Sequence, residues 1–166
     1  MKASKIYLVG FMASGKTTLA RSLAKRLDWP SIDIDDLIEG REHMPVAEIF
    51  ARRGEPYFRS IERAVLLEQV SKSPAVVATG GGTFADPANR AAINADGVSI
   101  WLDVPLERII GRLPSDGRRP LAADRAELER LYHQRRASYQ QAHVHLDASR
   151  AGVDALCEQV VDWLGA

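Results

Sequence analysis

Short apolar runs alternate along this chain with stretches in which apolar residues return every three or four positions. The runs predict strands near 5–10, 31–35, 75–79, 98–103 and 143–147. The periodic stretches predict helices near 16–28, 45–53, 55–72, 87–95, 105–112, 124–140 and 152–164. Strand and helix in regular turn are the rhythm of an α/β protein built on a parallel sheet. Several boundaries have their own chemistry. Asp86-Pro87 reads as a helix cap followed by proline at the first helical position, and Gly54 and Gly97 stand where helices should stop. The rhythm fails between Leu113 and Ala123, where Pro114, Gly117 and Pro120 flank the pair Arg118 and Arg119, and this stretch reads as a mobile lid. No internal repeat, low-complexity tract or linker divides the 166 residues, so 1–166 is read as one domain.

Composition narrows the function classes. The formal net charge is zero and no basic block stands out, which argues against a nucleic-acid partner or an anionic membrane surface. Lys2 and Lys5 precede only a few apolar residues before a glycine, unlike a signal peptide, and no apolar stretch approaches the ~18 residues that span a bilayer. The expectation is a soluble cytoplasmic protein, and nothing demands more than a monomer. The lone cysteine, Cys157, falls in an apolar-periodic segment and reads as a small core residue.

Attraction for an anion must therefore be local, and its place is plain. The strand Ile6-Tyr7-Leu8-Val9 runs into Gly10-Phe11-Met12-Ala13-Ser14-Gly15-Lys16-Thr17, the complete pattern G-x-x-x-x-G-K-[ST], followed by Leu19, Ala20, Leu23, Ala24 and Leu27 at helical spacing. Glycines at both ends let the backbone curl so that the N–H groups of Ala13, Ser14, Gly15 and their neighbours through Thr18 turn inward at a helix N-terminus, a cradle for phosphate oxygens. Lys16 then reaches the β- and γ-phosphates of a nucleotide and the Thr17 hydroxyl ligates Mg²⁺.

Other residues supply an acceptor side. Asp33 and Asp35, two apart on a predicted strand, face one way at its carboxyl end, where open α/β sheets bind ligands. A Mg²⁺ shell or a polyol substrate would compensate the pair, with helix capping by Asp35 or Asp36 as the plain alternative. Gly80-Gly81-Gly82 ends the third strand with three backbone N–H groups open to a ligand, or is simply a flexible turn. Arg59 and Glu62 sit at i and i+3 on a helix, so the glutamate can hold the guanidinium rigid for a carboxylate or phosphate, although a solvated pair would look the same. Arg135 is ambiguous alone. Asp103, after Val98-Ser99-Ile100-Trp101-Leu102, competes with Asp33 for the metal by spacing but is read as a cap for the helix begun by Pro105. His143 and His145 alternate as metal ligands sometimes do, without a third ligand, and receive no role.

Gly10 to Thr17, Asp33-x-Asp35, Phe58-Arg59-x-x-Glu62, Gly80-Gly81-Gly82, Arg119-Pro120-Leu121 and Arg135-x-x-x-Tyr139 together resemble the shikimate kinase family in order and spacing, over nearly the whole chain. The resemblance implies a three-layer P-loop fold with a five-stranded parallel sheet in the order 2-3-1-4-5. It further implies ATP with Mg²⁺, and transfer of the γ-phosphoryl group to the 3-hydroxyl of shikimate. Carried over to this chain, it has Asp35 bonding the shikimate hydroxyls within a helical segment of about 33–62. Arg59 and Arg135 clamp the substrate carboxylate, Gly80 to Gly82 contact it through backbone, and Asp33 holds Mg²⁺ through water. Arg119 arrives with the lid of about 113–123 to neutralise charge, while Arg112 lies along the adenine and Arg150 is a weaker adenine contact.

Two departures stand out. Ala13 occupies a position where many family members have glycine. The segment Arg135-Arg136-Ala137-Ser138-Tyr139 lacks the proline and following glutamate often seen there. The rival readings are another small-molecule kinase, such as a gluconate kinase, and a nucleotide-dependent regulatory module without turnover.

Overall fold

A computed structural model of the chain describes residues 3–113 and 122–166. The first strand, β1 (Lys5–Val9), is buried along its whole length, as a central strand covered on both faces must be. The other strands are β2 (Ser31–Asp33), β3 (Ala75–Ala78), β4 (Val98–Asp103) and β5 (Val144–Asp147). All pairings are parallel and the sheet order is β2-β3-β1-β4-β5. The expected order therefore holds. Because β1 lies between β3 and β4, the chain leaves it in one direction and returns on the other side, which opens a crevice at the carboxyl ends of these strands.

The helices among the described residues are α1 (Lys16–Leu27), α2 (Ile34–Glu42), α3 (Val46–Arg53), α4 (Glu55–Gln69), α5 (Pro87–Asp96), α6 (Leu106–Arg112), α7 (Ala122–Tyr139) and α8 (Val153–Leu164), with a 3-10 turn at Thr83–Ala85. Leu19, Ala20, Leu23 and Ala24 of α1 are buried, as are Leu156, Cys157, Val160, Val161 and Leu164 of α8, and these two helices pack together. Asp86 accepts hydrogen bonds from the N–H groups of Ala88 and Asn89, and Gly54 and Gly97 end α3 and α5, as the sequence predicted.

One helix is missing from the elements that periodicity predicts, and only the helical segment of about 33–62 implied by the resemblance covers it. Residues 31–35 were expected to be strand, but β2 stops at Asp33, whose carboxylate accepts from the Asp36 N–H and starts α2 at Ile34. Ile34 and Ile38, one turn apart, fill the core and carry too few apolar residues to announce a helix by periodicity. Most of the predicted lid of about 113–123, residues 114–121 with Arg118 and Arg119, lies outside the described residues, while Ala122 and Ala123 open α7. No helix among the described residues is long and apolar enough to cross a membrane.

Candidate active site

The loop after β1 is shaped by positions that only particular backbones tolerate. Gly10 has φ +149, and a Cβ there would lie 2.8 Å from the Leu102 carbonyl oxygen, so any side chain would push β1 and β4 apart. Ala13 is held at φ 58, in the left-handed region. Arg112 at the end of α6 steadies this bend by donating to the Ala13 and Ser14 carbonyls, both at 3.1 Å. At the start of α1, Lys16 is buried and donates to the Gly10 and Phe11 carbonyls at 2.7 and 2.8 Å. Burial pushes its ammonium down to about 8, against the upward pull of Asp35 and Asp33. The Ser14 hydroxyl is buried without a hydrogen-bond partner among the described residues.

Asp33 and Asp35 do come to this crevice, by a different route from the one expected. They do not alternate on a strand: Asp33 is the cap of α2 and Asp35 lies in its first turn. Nor is the capping group Asp35 or Asp36. While one oxygen of Asp33 caps α2, the other accepts from the Thr17 hydroxyl at 2.7 Å. Asp35 is more constrained, with one buried carboxylate oxygen that has no hydrogen-bond partner among the described residues. Its burial, with Asp33 and Glu62 nearby, pushes its carboxyl up to about 6, and Lys16 limits the rise.

The opposite wall comes from α4. Glu62 is 1 % exposed and accepts from Arg59 Nη1 at 3.0 and 3.2 Å. It also accepts from the Thr83 hydroxyl at 2.9 Å, and Thr83 in turn accepts from the Gly80 N–H at 3.0 Å. One buried carboxylate thus fixes both the arginine and the start of the glycine run. A Cβ at Gly82 would stand 2.5 Å from Arg59 Nη2, so a side chain there would displace the guanidinium. Thr83 was not singled out in the sequence, where it reads as an ordinary turn residue after the glycines.

These groups line two adjoining cavities. One, of about 340 Å³, is walled by Val46, Phe50 and Phe58 and edged by Arg59, Glu62 and Arg135. The other, of about 330 Å³, contains Ser14, Gly15, Lys16, Thr17 and Asp33, and the two share Met12, Asp35, Gly80 and Gly81. A third cavity runs from Ala13, Ser14, Gly15 and Thr18 past Leu102, Arg108 and Arg112 to Ala148, Ala151 and Gly152. Arg150 is exposed and stands outside that lining, whereas Arg108 lies within it and donates to the Ala148 carbonyl at 3.1 Å.

Asp103 caps nothing: Pro105 precedes α6 without a side-chain cap, and Asp103 instead pairs with Arg136 and with His145 Nε2, each at 2.8 Å. Arg136 is the more regular partner, since His145 is largely exposed. No cluster of three His, Cys, Asp or Glu side chains suited to a metal occurs among the described residues. Thr17 and Asp33 nonetheless place two hard oxygen donors beside the phosphate loop, a donor set that suits Mg²⁺ completed by phosphate and water.

Comparison with known proteins identifies the family and the fold. The family model described as shikimate kinase matches residues 12–165. A shikimate kinase of Sulfurihydrogenibium sp. is 38% identical over 157 residues, covering 94% of this chain and 95% of the relative. The structure of a shikimate kinase from Acinetobacter baumannii in complex with shikimate is similar with a TM-score of 0.90 at 32% identity, over 97% of this chain and 92% of that one. A gluconokinase from Sinorhizobium meliloti shares the fold alone, at 14% identity and a TM-score of 0.57 over 98% of this chain and 91% of that one. The chain belongs to the shikimate kinase family.

Proposed function

We propose that the chain transfers the γ-phosphoryl group of ATP to the 3-hydroxyl of shikimate, giving shikimate 3-phosphate and ADP, with the two adjoining cavities as acceptor and phosphate sites. The observation that carries this reading is their junction: Asp35, Gly80, Gly81 and Met12 line both, so a hydroxyl held at Asp35 would face a phosphoryl group held by the loop. Arg59 and Arg135 form the cationic end of the acceptor cavity and would take the carboxylate, the Arg59 fork being kept rigid by Glu62. Phe50, Phe58 and Val46 suit the apolar face of the ring. Adenine fits the third cavity, between Arg112 and the segment Ala148 to Gly152.

Phosphoryl transfer needs in-line positioning and neutralised charge more than a strong base. Lys16 would exchange its two loop carbonyls for phosphate oxygens, and the unpartnered Ser14 hydroxyl stands ready in the same cavity. Asp35 would orient the acceptor hydroxyl and accept its proton late, a role for which a carboxyl raised to about 6 is a better base than an ordinary aspartate while still ionised at neutral pH. Thr17 and Asp33, the latter through water, would hold Mg²⁺, which when bound neutralises charge on the phosphates. The resemblance adds Arg119, outside the described residues, to these charges. The reading keeps a cytoplasmic monomer without nucleic-acid or membrane partners, in line with the zero net charge.

The test is ADP release by the purified protein with Mg²⁺ and ATP, comparing shikimate, gluconate and no acceptor. Shikimate-dependent release is expected. Release with gluconate alone would move the activity to a sibling kinase, and none with any acceptor would favour a regulatory module.

A further inference from the structure

Helix α7 has little to hold it by apolar burial. Of its described side chains only Tyr132 and Tyr139 are buried, with Leu128 and Leu131 partly so, yet it carries Arg135 into the acceptor cavity. Its attachment is polar and aromatic, and it converges on Arg136. The Arg136 guanidinium makes a two-pronged pair with Asp103 at 2.8 and 3.4 Å, and donates to the Tyr132 hydroxyl at 3.0 Å. It lies 4.8 Å over the Trp101 ring. Tyr132 donates in turn to the Val104 carbonyl at 2.9 Å. Trp101 and Asp103 belong to the end of β4 and Val104 follows it directly, so the whole contact ties α7 to the end of one strand.

We infer that Arg136 is a positioning residue for the acceptor site, locking the rotation of α7 against the end of β4 so that its neighbour Arg135 points into the acceptor cavity. Successive residues of a helix point about 100° apart, so fixing Arg136 on Asp103 and Trp101 fixes the direction of Arg135 as well. Tyr139, one turn beyond Arg135, closes the arrangement by donating to the Gly81 carbonyl at 2.5 Å, while its ring packs against Trp101. A planar, bidentate, stacked guanidinium is needed, which lysine does not reproduce.

The inference rests on Arg135 as a carboxylate clamp, so the experiment includes that residue. Steady-state kinetics for both substrates, with thermal melts, would be recorded for Arg136→Met, Asp103→Asn, their double variant and Arg135→Ala. Arg136→Met and Asp103→Asn should each raise the shikimate KM roughly tenfold, with the ATP KM and kcat within about twofold, because a misaimed clamp weakens one substrate only. The double variant should be no worse than either single one, the signature of one shared contact. If Arg136→Met folds poorly, Asp103→Asn reads the same contact. An unchanged shikimate KM in both single variants, or an equal rise in the ATP KM, would overturn the positioning role. Should Arg135→Ala itself leave the shikimate KM unchanged, the clamp reading fails, and the inference fails with it for a separate and visible reason.

Discussion

The two ends of the sheet treat buried polar groups in opposite ways. At the amino end, Lys5 and Asp96 are an ion pair at 2.6 Å with side chains 2% and 9% exposed, and further partners surround it. Lys5 also donates to the Gln69 carbonyl, Tyr7 donates to Asp96 at 2.5 Å, and the Ser71 N–H reaches the same carboxylate at 2.8 Å. At the carboxyl end, one Asp35 oxygen and the Ser14 hydroxyl are buried and unpartnered among the described residues, Lys16 makes do with carbonyls of its own loop, and Ala13 sits at positive φ. The amino end is arranged for stability. The carboxyl end carries uncompensated cost that a ligand would relieve, as sites that must hold charged reactants do.

The comparison breaks most sharply at Asp35. Asp35→Asn should lower kcat by roughly 10³-fold, the scale of a lost acid–base group, while ATP binding by calorimetry stays nearly unchanged; an active variant would remove Asp35 from the acceptor site. The same change should stabilise the protein free of Mg²⁺ and nucleotide. A carboxyl raised from 3.8 to about 6 on folding is penalised when ionised, so the penalty is present above pH 6 and vanishes as pH falls towards 4. Urea melts should therefore show a gain of roughly 2–3 kcal/mol at pH 8 that fades below pH 6. A gain independent of pH would mean that burial of the charge is not its source.

The amino end should respond the other way. Lys5→Met leaves Asp96 buried without its cation and should cost roughly 3 kcal/mol of stability, with kcat of the folded protein unchanged. A smaller effect is expected at Arg59. Arg59→Ala should raise the shikimate KM roughly 10- to 100-fold, the worth of a charged hydrogen-bonded contact, with kcat close to the parent, and should also lower stability because it strips the buried Glu62 of its cation. An unaltered KM would remove the carboxylate role.

How much of this could be read from the chain follows the same division. Elements whose apolar pattern spans many residues were legible: β1, α1, β4 and α8 lie within a residue or two of expectation. The phosphate loop was legible because its glycines and lysine are fixed by local backbone geometry. Helix α2 was not, because Ile34 and Ile38 give one apolar pair and the decisive signal is the Asp33 cap, which sequence alone could not tell from Asp35 or Asp36. The roles of Thr83, Arg136 and Asp103 depend on partners 21 to 33 residues away, a distance no periodicity encodes. Asp103 misled for that reason: a carboxylate just before a helix reads as a cap until its partner is known.

The smallest expected effect lies in the loop itself. Alanine in the left-handed region costs roughly 1 kcal/mol relative to a residue free to adopt it, since its Cβ crowds the backbone, and Ala13 is held there at φ 58. Two contacts oppose relaxation: Arg112 grips the Ala13 and Ser14 carbonyls, and Lys16 draws the Gly10 and Phe11 carbonyls inward. Ala13→Gly removes the crowding but loosens the unfolded chain, and that entropy offsets part of the gain. The net expectation is a stabilisation below about 1 kcal/mol, with kcat unchanged because the loop keeps its shape. Were the variant destabilised by that much instead, the bend would be one that alanine favours, and the contrast between a settled amino end and a strained carboxyl end would rest on Asp35, Ser14 and Lys16 alone.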